Sequence, residues 1–241
     1  GHALGLGHIV SPDRQFLMEP LLATSFDGPQ IDDIRGFHHL YGDLLEKSNQ
    51  GQGNGLMALA SPLGDLSVGD RVSLGGSADG AEIVEPSQTD FLSISGSRDL
   101  DLFSFEIAEP AVLDVTLSPR GGSFQQAEVG GVERTIRAAS SNDLALALIA
   151  EGGRRLATID GNGLGGPELL HDFMLPESGR YFIEVSGNRE VVQLYDLQLG
   201  LSATAIPEPP TLRLLGPLIL SLGTASFPRR RNSGRDKLSQ P

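Results

Sequence analysis

The most constraining feature of this 241-residue sequence is a series of short segments, between residues 68 and 201, in which apolar and polar residues alternate. Alternation with a period of two places every second side chain on the same face of a strand, which is typical of a strand with one buried face. Five segments show it: Phe103–Ile107, Leu113–Leu117, Leu144–Leu148, Tyr181–Val185 and Tyr195–Leu199.

Turn-forming sequences separate the five segments. Glycine, proline, aspartate and asparagine supply the backbone geometries that tight turns need. The turns fall at Glu109-Pro110, Gly121-Gly122, Glu151–Gly153, Asp160–Gly163 and Pro176–Gly179. No helical period intervenes, so the chain is predicted to be mainly β, with an antiparallel β-sandwich over residues 85–201.

Composition excludes several classes of function. The sequence has no cysteine, which excludes a disulfide framework, a cysteine nucleophile and a cysteine-based zinc finger. Its formal net charge of −13 is opposite to the basic surface that a general nucleic-acid-binding protein needs, so no nucleic-acid partner is expected. The first residue is Gly1 rather than methionine, and a missing signal peptide therefore carries no weight.

Two histidines near the start of the chain, His2 and His8, are spaced for metal binding across a turn. Six residues apart, they do not share one face of a continuous helix. Gly5 lies between them and can adopt a positive φ, which would end the helix and turn the chain back toward His2. Neutral imidazoles are good ligands for Zn²⁺, and three of them leave a coordination position for water.

The segment Gly1–His8 resembles the second half of the metzincin zinc motif, His-Glu-x-x-His-x-x-Gly-x-x-His, in its matrixin form. The resemblance implies that His2 and His8 are the second and third zinc ligands and that Gly5 is the turn glycine. It also implies that the first histidine ligand and the catalytic glutamate precede Gly1. On this basis the parent protein is a zinc endopeptidase that acts on a protein or peptide substrate, and the chain as given is expected to be inactive.

The segment Phe16–Pro20 is similar to the Met-turn of matrixins. In that family a methionine, here Met18, packs beneath the metal site, and a proline, here Pro20, follows in the same turn. Glu19 stands where the family usually has a tyrosine. The match implies that Met18 and Pro20 support the zinc site.

The segment Gln30–Gly42 is similar to the closing helix of matrixin catalytic domains. In the family one carboxylate of the paired aspartates supports the Met-turn, and Asp33, or Asp32, is expected to do so here. His38 and His39 are expected to be packing or surface residues of this helix rather than further ligands.

Residues 85–201 resemble the bacterial pre-peptidase C-terminal domain, a β-sandwich module that follows secreted peptidases. The matching segments are Ser97–Phe105, Asn142–Leu148 and Ser178–Gly187. Asp99, Asp101 and Asp143 could offer hard oxygen ligands to Ca²⁺. The alternative interpretation is that these carboxylates cap strands and turns.

The C-terminal segment resembles a PEP-CTERM sorting signal. Pro207-Glu208-Pro209 precedes an apolar stretch at 214–227 and the basic cluster Arg229–Arg231. A helix of fourteen residues spans about 21 Å, which is shorter than a bilayer core of about 30 Å, so transient membrane contact is expected rather than a permanent span. The resemblance implies processing by an exosortase-type enzyme, and the alternative is an apolar tail that packs on the sandwich.

These observations predict four parts: the C-terminal part of a matrixin-like α+β catalytic domain (1–46), a linker and lead-in strand (47–84), the sandwich (85–201) and a sorting tail with a short hydrophobic helix (202–241). The predicted function is that of a fragment of an exported zinc endopeptidase of the cell envelope or extracellular space. Two alternatives remain: a non-enzymatic envelope protein with a degenerate peptidase remnant, and a calcium-dependent adhesive module.

Overall fold

A computed structural model of the chain describes residues 1–12, 16–21, 24–26, 28–76, 91–127 and 131–204. Gly1–Ala205 forms one compact unit. The predicted sorting tail, with its apolar stretch at 214–227, lies outside the described residues. None of the helices in the described part of the chain has the length and hydrophobicity that a bilayer span requires.

Twelve strands are formed by the described residues: β1 Ser61–Leu66, β2 Arg71–Leu74, β3 Leu92–Ile94, β4 Leu100–Ile107, β5 Ala111–Arg120, β6 Ser123–Gln126, β7 Arg134–Arg137, β8 Leu144–Ala150, β9 Arg155–Ile159, β10 Glu168–Leu175, β11 Gly179–Gly187 and β12 Gln193–Ser202. The helical segments are the 3-10 helices His2–Leu4, Met57–Leu59 and Ala138–Ser140, helix α1 Ile31–Tyr41 and the short helix α2 Ser48–Gly51.

Ten of the strands form two five-stranded sheets that face each other. The first sheet has the order β1-β4-β11-β8-β9, and the second has the order β10-β5-β12-β2, with β3 also paired to β12. Side chains from the inner faces of both sheets, including Phe103, Leu146, Leu117 and Leu197, form one buried core. The remaining strands, β6 and β7, form a separate hairpin. The predicted sandwich is therefore confirmed as an architecture.

All five strands predicted from alternation are present, as β4, β5, β8, β11 and β12. They are the inner strands of the two sheets, whereas the strands that alternation did not predict lie mainly at the edges. Inner strands have neighbours on both sides and bury their apolar faces completely, which keeps the alternation of their sequences clear.

The sandwich is not wholly antiparallel, because β1 runs parallel to β4. In the two sheets, the described strands between residues 85 and 201 pair only antiparallel with one another, as predicted, and the parallel strand β1 lies before that range. The chain passes through β2 and β3, which pair in the other sheet, before it reaches β4, so no hairpin forces the two strands to run in opposite directions. The sandwich also begins at Ser61, since β1 and β2 lie within the segment predicted as linker and lead-in strand.

A second core joins the N-terminal segment, residues 1–46, to the sandwich. Phe16 is 1% exposed, and its ring packs edge to face on Phe124 of β6 at 4.7 Å between centroids. Ile9 and Ile31 belong to the same core, together with Leu194 of β12. Val10 is also bridged to residue 127 by two backbone hydrogen bonds of 2.8 Å. The N-terminal segment is thus packed on the sandwich rather than tethered to it.

Candidate metal centre

The backbone around Gly5 brings the two N-terminal histidines together. The 3-10 helix His2–Leu4 ends at Gly5, which has φ 90° and ψ 1° and donates its N–H to the carbonyl of His2. This left-handed conformation favours glycine, because a side chain would crowd the following carbonyl. The turn predicted at Gly5 is confirmed, and it directs residues 6–8 back past the short helix.

The two imidazoles meet at their Nε2 atoms, which lie 3.2 Å apart. His2 Nδ1 is 3.0 Å from the carbonyl oxygen of Leu6, and His8 Nδ1 is 3.1 Å from that of Met18. A carbonyl oxygen only accepts, so each Nδ1 carries a proton and each Nε2 of a neutral ring presents a lone pair.

Two lone pairs at this distance repel each other unless a cation or a shared proton lies between them. Nitrogens bound tetrahedrally to one zinc ion at about 2.0–2.1 Å are about 3.3 Å apart, so the spacing of the two Nε2 atoms fits a shared Zn²⁺. Both rings are exposed, and an ion from solution can therefore reach them. The residues present fit two of the ligands that the matrixin resemblance implies.

Met18 contacts His8 through its backbone and Gly1 through its side chain. Its side chain is buried and packs so closely on Gly1 that a Cβ there would lie 1.8 Å from the Met18 sulfur. Its carbonyl accepts hydrogen bonds from His8 Nδ1 and from the N–H of Ile9. Pro20, which the resemblance also places in this turn, is exposed. Met18 thus orients His8 through its backbone while it fills the space below Gly1.

Asp33, and not Asp32, supports the turn that holds Met18. One carboxylate oxygen of Asp33 accepts the N–H groups of Leu17 and Gln30, each at 2.9 Å. Burial raises the pKa of Asp33, although hydrogen bonds from the backbone oppose the rise. Asp32 instead pairs with Arg35 at 3.2 Å. The third position of α1 directs Asp33 back over the helix N-terminus, which is why it can bond to both segments.

The two histidines of α1, His38 and His39, are arranged as a packing residue and a surface residue. His38 Nδ1 lies 2.9 Å from the hydroxyl of Ser93, and burial lowers the pKa of His38 to about 4. His39 is exposed. His38 therefore helps to attach α1 to the sandwich through a neutral ring.

The predicted calcium residues Asp99 and Asp101 lie together, with two acidic residues that no motif in the sequence indicates. These are Asp43 and Glu46, which follow α1, and the four residues are called the carboxyl cluster below. Glu46 Oε2 accepts the backbone N–H of Asp43 at 2.6 Å, and Asp99 Oδ2 accepts that of Ser95 at 2.6 Å. Burial, reinforced by the neighbouring carboxyls, raises the pKa of Glu46 to about 7 and that of Asp99 to about 6.

Asp143, the third predicted calcium residue, has a different partner. Its carboxylate accepts a hydrogen bond of 3.0 Å from the side chain of Asn188, and its N–H donates to Asn142. This arrangement matches the alternative interpretation, in which the carboxylate caps a turn. In the described ranges, no group of three or more His, Asp or Glu side chains is already arranged to hold a metal ion.

Comparisons with known proteins give a distant likeness among solved structures. No protein-family model matches the sequence, and no curated protein matches it. Among solved structures, the chain is similar to the pre-peptidase C-terminal domain of collagenase from Bacillus anthracis, with 15% identity and a TM-score of 0.34 over 58% of this chain and 93% of that domain. This likeness is too distant to carry a function to this chain, and the sandwich architecture rests on the two sheets described above.

Proposed function

We propose that this chain contributes two ligands, His2 and His8, to the zinc site of an exported endopeptidase. The observation that carries the proposal is the pair of Nε2 atoms 3.2 Å apart, each on a ring whose Nδ1 donates to a backbone carbonyl. Metal-binding histidines are typically held in this way, because the bond at the second nitrogen fixes the tautomer and the ring orientation.

The residues around the pair act as its support. Gly5 sets the reversal of the chain, the Met18 carbonyl holds the ring of His8, and Asp33 holds the turn in which Met18 lies. A bound zinc ion would lower the pKa of a coordinated water and polarise the carbonyl of a peptide substrate. The general base and the first ligand belong, by the matrixin resemblance, to sequence before Gly1.

The remaining parts of the proposal concern export. The sandwich is an accessory module of the pre-peptidase C-terminal kind, and residues 202–241 act as a sorting signal for an exosortase-type enzyme, with transient membrane contact through 214–227. The order Pro-Glu-Pro, apolar stretch and arginine cluster supports this reading. Mass spectrometry of the protein from its native host tests it, because an intact C-terminus on extracellular material would contradict processing.

The second candidate is a non-enzymatic envelope protein with a degenerate peptidase remnant. Two histidines without a third ligand, as in the described part of the chain, favour it. The codons that precede Gly1 in the gene discriminate between the two. A His-Glu pair at the motif spacing supports the peptidase, and its absence supports the remnant.

Zinc binding to the purified chain tests the site itself. We expect calorimetric titration with Zn²⁺ to give one site, and His2→Ala or His8→Ala to lower its affinity about tenfold or more through loss of one of two ligands. His39→Ala is the matched control, since it removes an exposed imidazole from α1. Equal losses in all three variants, or no zinc binding by the wild type, would contradict the proposal.

A peptide-cleavage assay tests the expected inactivity of the chain as given. Without the general base, no cleavage above background is expected even with zinc added. Cleavage that a chelator abolishes would show that other residues of the chain supply that base.

A further inference from the structure

The last turn of α1 contacts the turn that carries the two N-terminal histidines. The hydroxyl of Tyr41, the last residue of the helix, donates a hydrogen bond of 2.7 Å to the carbonyl of Leu4. Leu40 packs on the same turn, since a Cβ at Gly5 would lie 3.4 Å from Leu40 Cδ1. Two neighbouring residues of α1 thus contact the chain between the paired histidines.

The carbonyl of Leu4 receives its donor from outside its own short helix. The last carbonyls of a helix lie beyond its internal hydrogen bonds and take other partners. The 3-10 helix His2–Leu4 ends at Gly5, whose N–H donates to the carbonyl of His2, two residues before Leu4. Tyr41 supplies the donor for the Leu4 carbonyl and so connects the end of this helix to the end of α1.

The residue that follows Gly5 is also held against α1. The carbonyl of Leu6 lies 3.0 Å from His2 Nδ1, and its N–H donates to the carbonyl of Gly1 at 3.2 Å. Its side chain packs on Gly36 of α1, where a Cβ would lie 3.0 Å from Leu6 Cδ2. Glycine is unfavourable inside a helix, and at this position it makes room for the close approach of Leu6.

The orientation of the imidazoles depends on the path of this turn. The two rings are exposed and meet edge to face, at 4.5 Å between their centroids. Each is oriented by a bond between its Nδ1 and a backbone carbonyl, that of Leu6 for His2 and that of Met18 for His8. A displacement of the backbone at residues 4–6 would therefore turn the ring of His2 and change the distance between the two Nε2 atoms.

We propose that Tyr41 is a positioning residue of the histidine pair. Its hydroxyl anchors the Leu4 carbonyl, and the anchored turn keeps the ring of His2 aimed at the ring of His8. Without this bond the turn moves more freely, and the two Nε2 atoms lose their common spacing. The part of this proposal that concerns zinc rests on the function proposed above, whereas the part that concerns ring orientation does not.

Zinc titration of a variant that lacks only the hydroxyl tests the first part. Tyr41→Phe keeps the ring, which is 46% exposed, and leaves the core intact. In calorimetric titration of the full chain, we expect it to bind Zn²⁺ about three- to tenfold more weakly than the wild type, because one hydrogen bond is worth a factor of this size.

Tyr181→Phe is the matched control. The hydroxyl of Tyr181 also donates to a backbone carbonyl, that of Glu177, at 2.8 Å, but it does so in the sandwich. This variant should lose at least as much stability as Tyr41→Phe in urea unfolding, because Tyr181 is the more buried of the two tyrosines. It should nevertheless keep the zinc affinity of the wild type, which separates a loss of positioning from a loss of stability.

The tautomer of His2 gives a second measurement that needs no metal. At pH 8.5, ¹⁵N NMR of the histidine side chains distinguishes a proton on Nδ1 from one on Nε2. In the wild type His2 should carry the proton on Nδ1, since the bond to the Leu6 carbonyl requires a donor there. Tyr41→Phe should increase the share of the Nε2 tautomer at His2, and Tyr181→Phe should leave it unchanged.

Three results would overturn the proposal. The first is a Tyr41→Phe variant that binds zinc as tightly as a zinc-binding wild type. The second is an equal loss of zinc affinity in Tyr41→Phe and Tyr181→Phe, and the third is an unchanged tautomer of His2 in Tyr41→Phe. A wild type that binds no zinc would contradict the proposed function instead, and the tautomer comparison would then decide the role of Tyr41 by itself.

Discussion

Replacing Asp33 by alanine is expected to destabilise the chain far more than replacing its neighbour Asp32. One oxygen of the buried Asp33 accepts two backbone N–H groups, and alanine leaves both donors without a partner. Each unsatisfied buried donor costs about 1–3 kcal/mol, and relief of the buried carboxyl offsets part of the loss, so we expect a net cost of about 2–4 kcal/mol. Asp32→Ala removes a mostly buried pair with Arg35, but burial already disfavours the charged form of Asp32, and Arg35 keeps its hydrogen bonds to Ser141 and Val192, so the cost should be about 1 kcal/mol.

Urea unfolding at pH 7, followed by circular dichroism, measures this difference. With a urea slope of about 2 kcal/mol per M, Asp33→Ala should lower the unfolding midpoint by about 1–2 M, and Asp32→Ala by about 0.5 M. Zinc binding provides a second readout, because the turn that Asp33 holds carries the Met18 carbonyl bonded to His8. Equal midpoints for the two variants, or unchanged zinc affinity in Asp33→Ala, would refute the role assigned to Asp33.

Three further predictions concern the backbone, the carboxyl cluster and the second core. Gly75→Ala should lower the free energy of unfolding by about 3 kcal/mol or more, because the new Cβ would lie 2.1 Å from a carbonyl oxygen of β12. Gly64→Ala, at a similar φ but in open space, should lower it by about 1–2 kcal/mol. Equal urea midpoints for the two variants would contradict this. The chain should lose stability as pH rises from about 4.5 to about 7.5, because burial raises the pKa of Glu46 to about 7 and that of Asp99 to about 6, so these two carboxyls hold more protons in the folded state than in the unfolded one. His38 acts in the opposite direction, since its pKa is lowered to about 4, but one imidazole offsets only part of the effect of two carboxyls. Urea midpoints at pH 4.5 and 7.5 check the sign, and a higher midpoint at pH 7.5 would contradict it. Phe16→Ala removes a fully buried aromatic ring and should lower the free energy of unfolding by about 3–5 kcal/mol. A loss below about 1 kcal/mol in the same assay would show that the N-terminal segment is not packed on the sandwich.

The inner strands of the sandwich could be predicted from the sequence, but several edge strands could not. β1 has the sequence Ser-Pro-Leu-Gly-Asp-Leu, in which proline and glycine are unfavourable for a strand. β10 has a register shift between Leu170 and Phe173, and Asp172 there has φ 51°. A bulge of this kind interrupts the alternation on which the prediction depended.

The histidine pair and the carboxyl cluster differ in how far sequence reasoning could reach them. His2, Gly5 and His8 are close in sequence, so their spacing alone indicated a turn that brings two imidazoles together. Asp43 and Asp99 meet only because α1 packs on the sandwich, and no local pattern records such a contact. The choice between Asp32 and Asp33 likewise needed the helix direction, which depends on where α1 begins.

The shared second core has a consequence for attempts to divide the chain. A protease cut between β1 and the N-terminal segment would break the covalent connection but leave Phe16, Ile9 and Ile31 buried against β6 and β12. The two pieces should then remain associated as a nicked complex and separate only in denaturant. The sandwich supplies half of the core against which the histidine-bearing segment packs. Exchanging it for another module would therefore also change the conformation of the segment that carries the metal ligands.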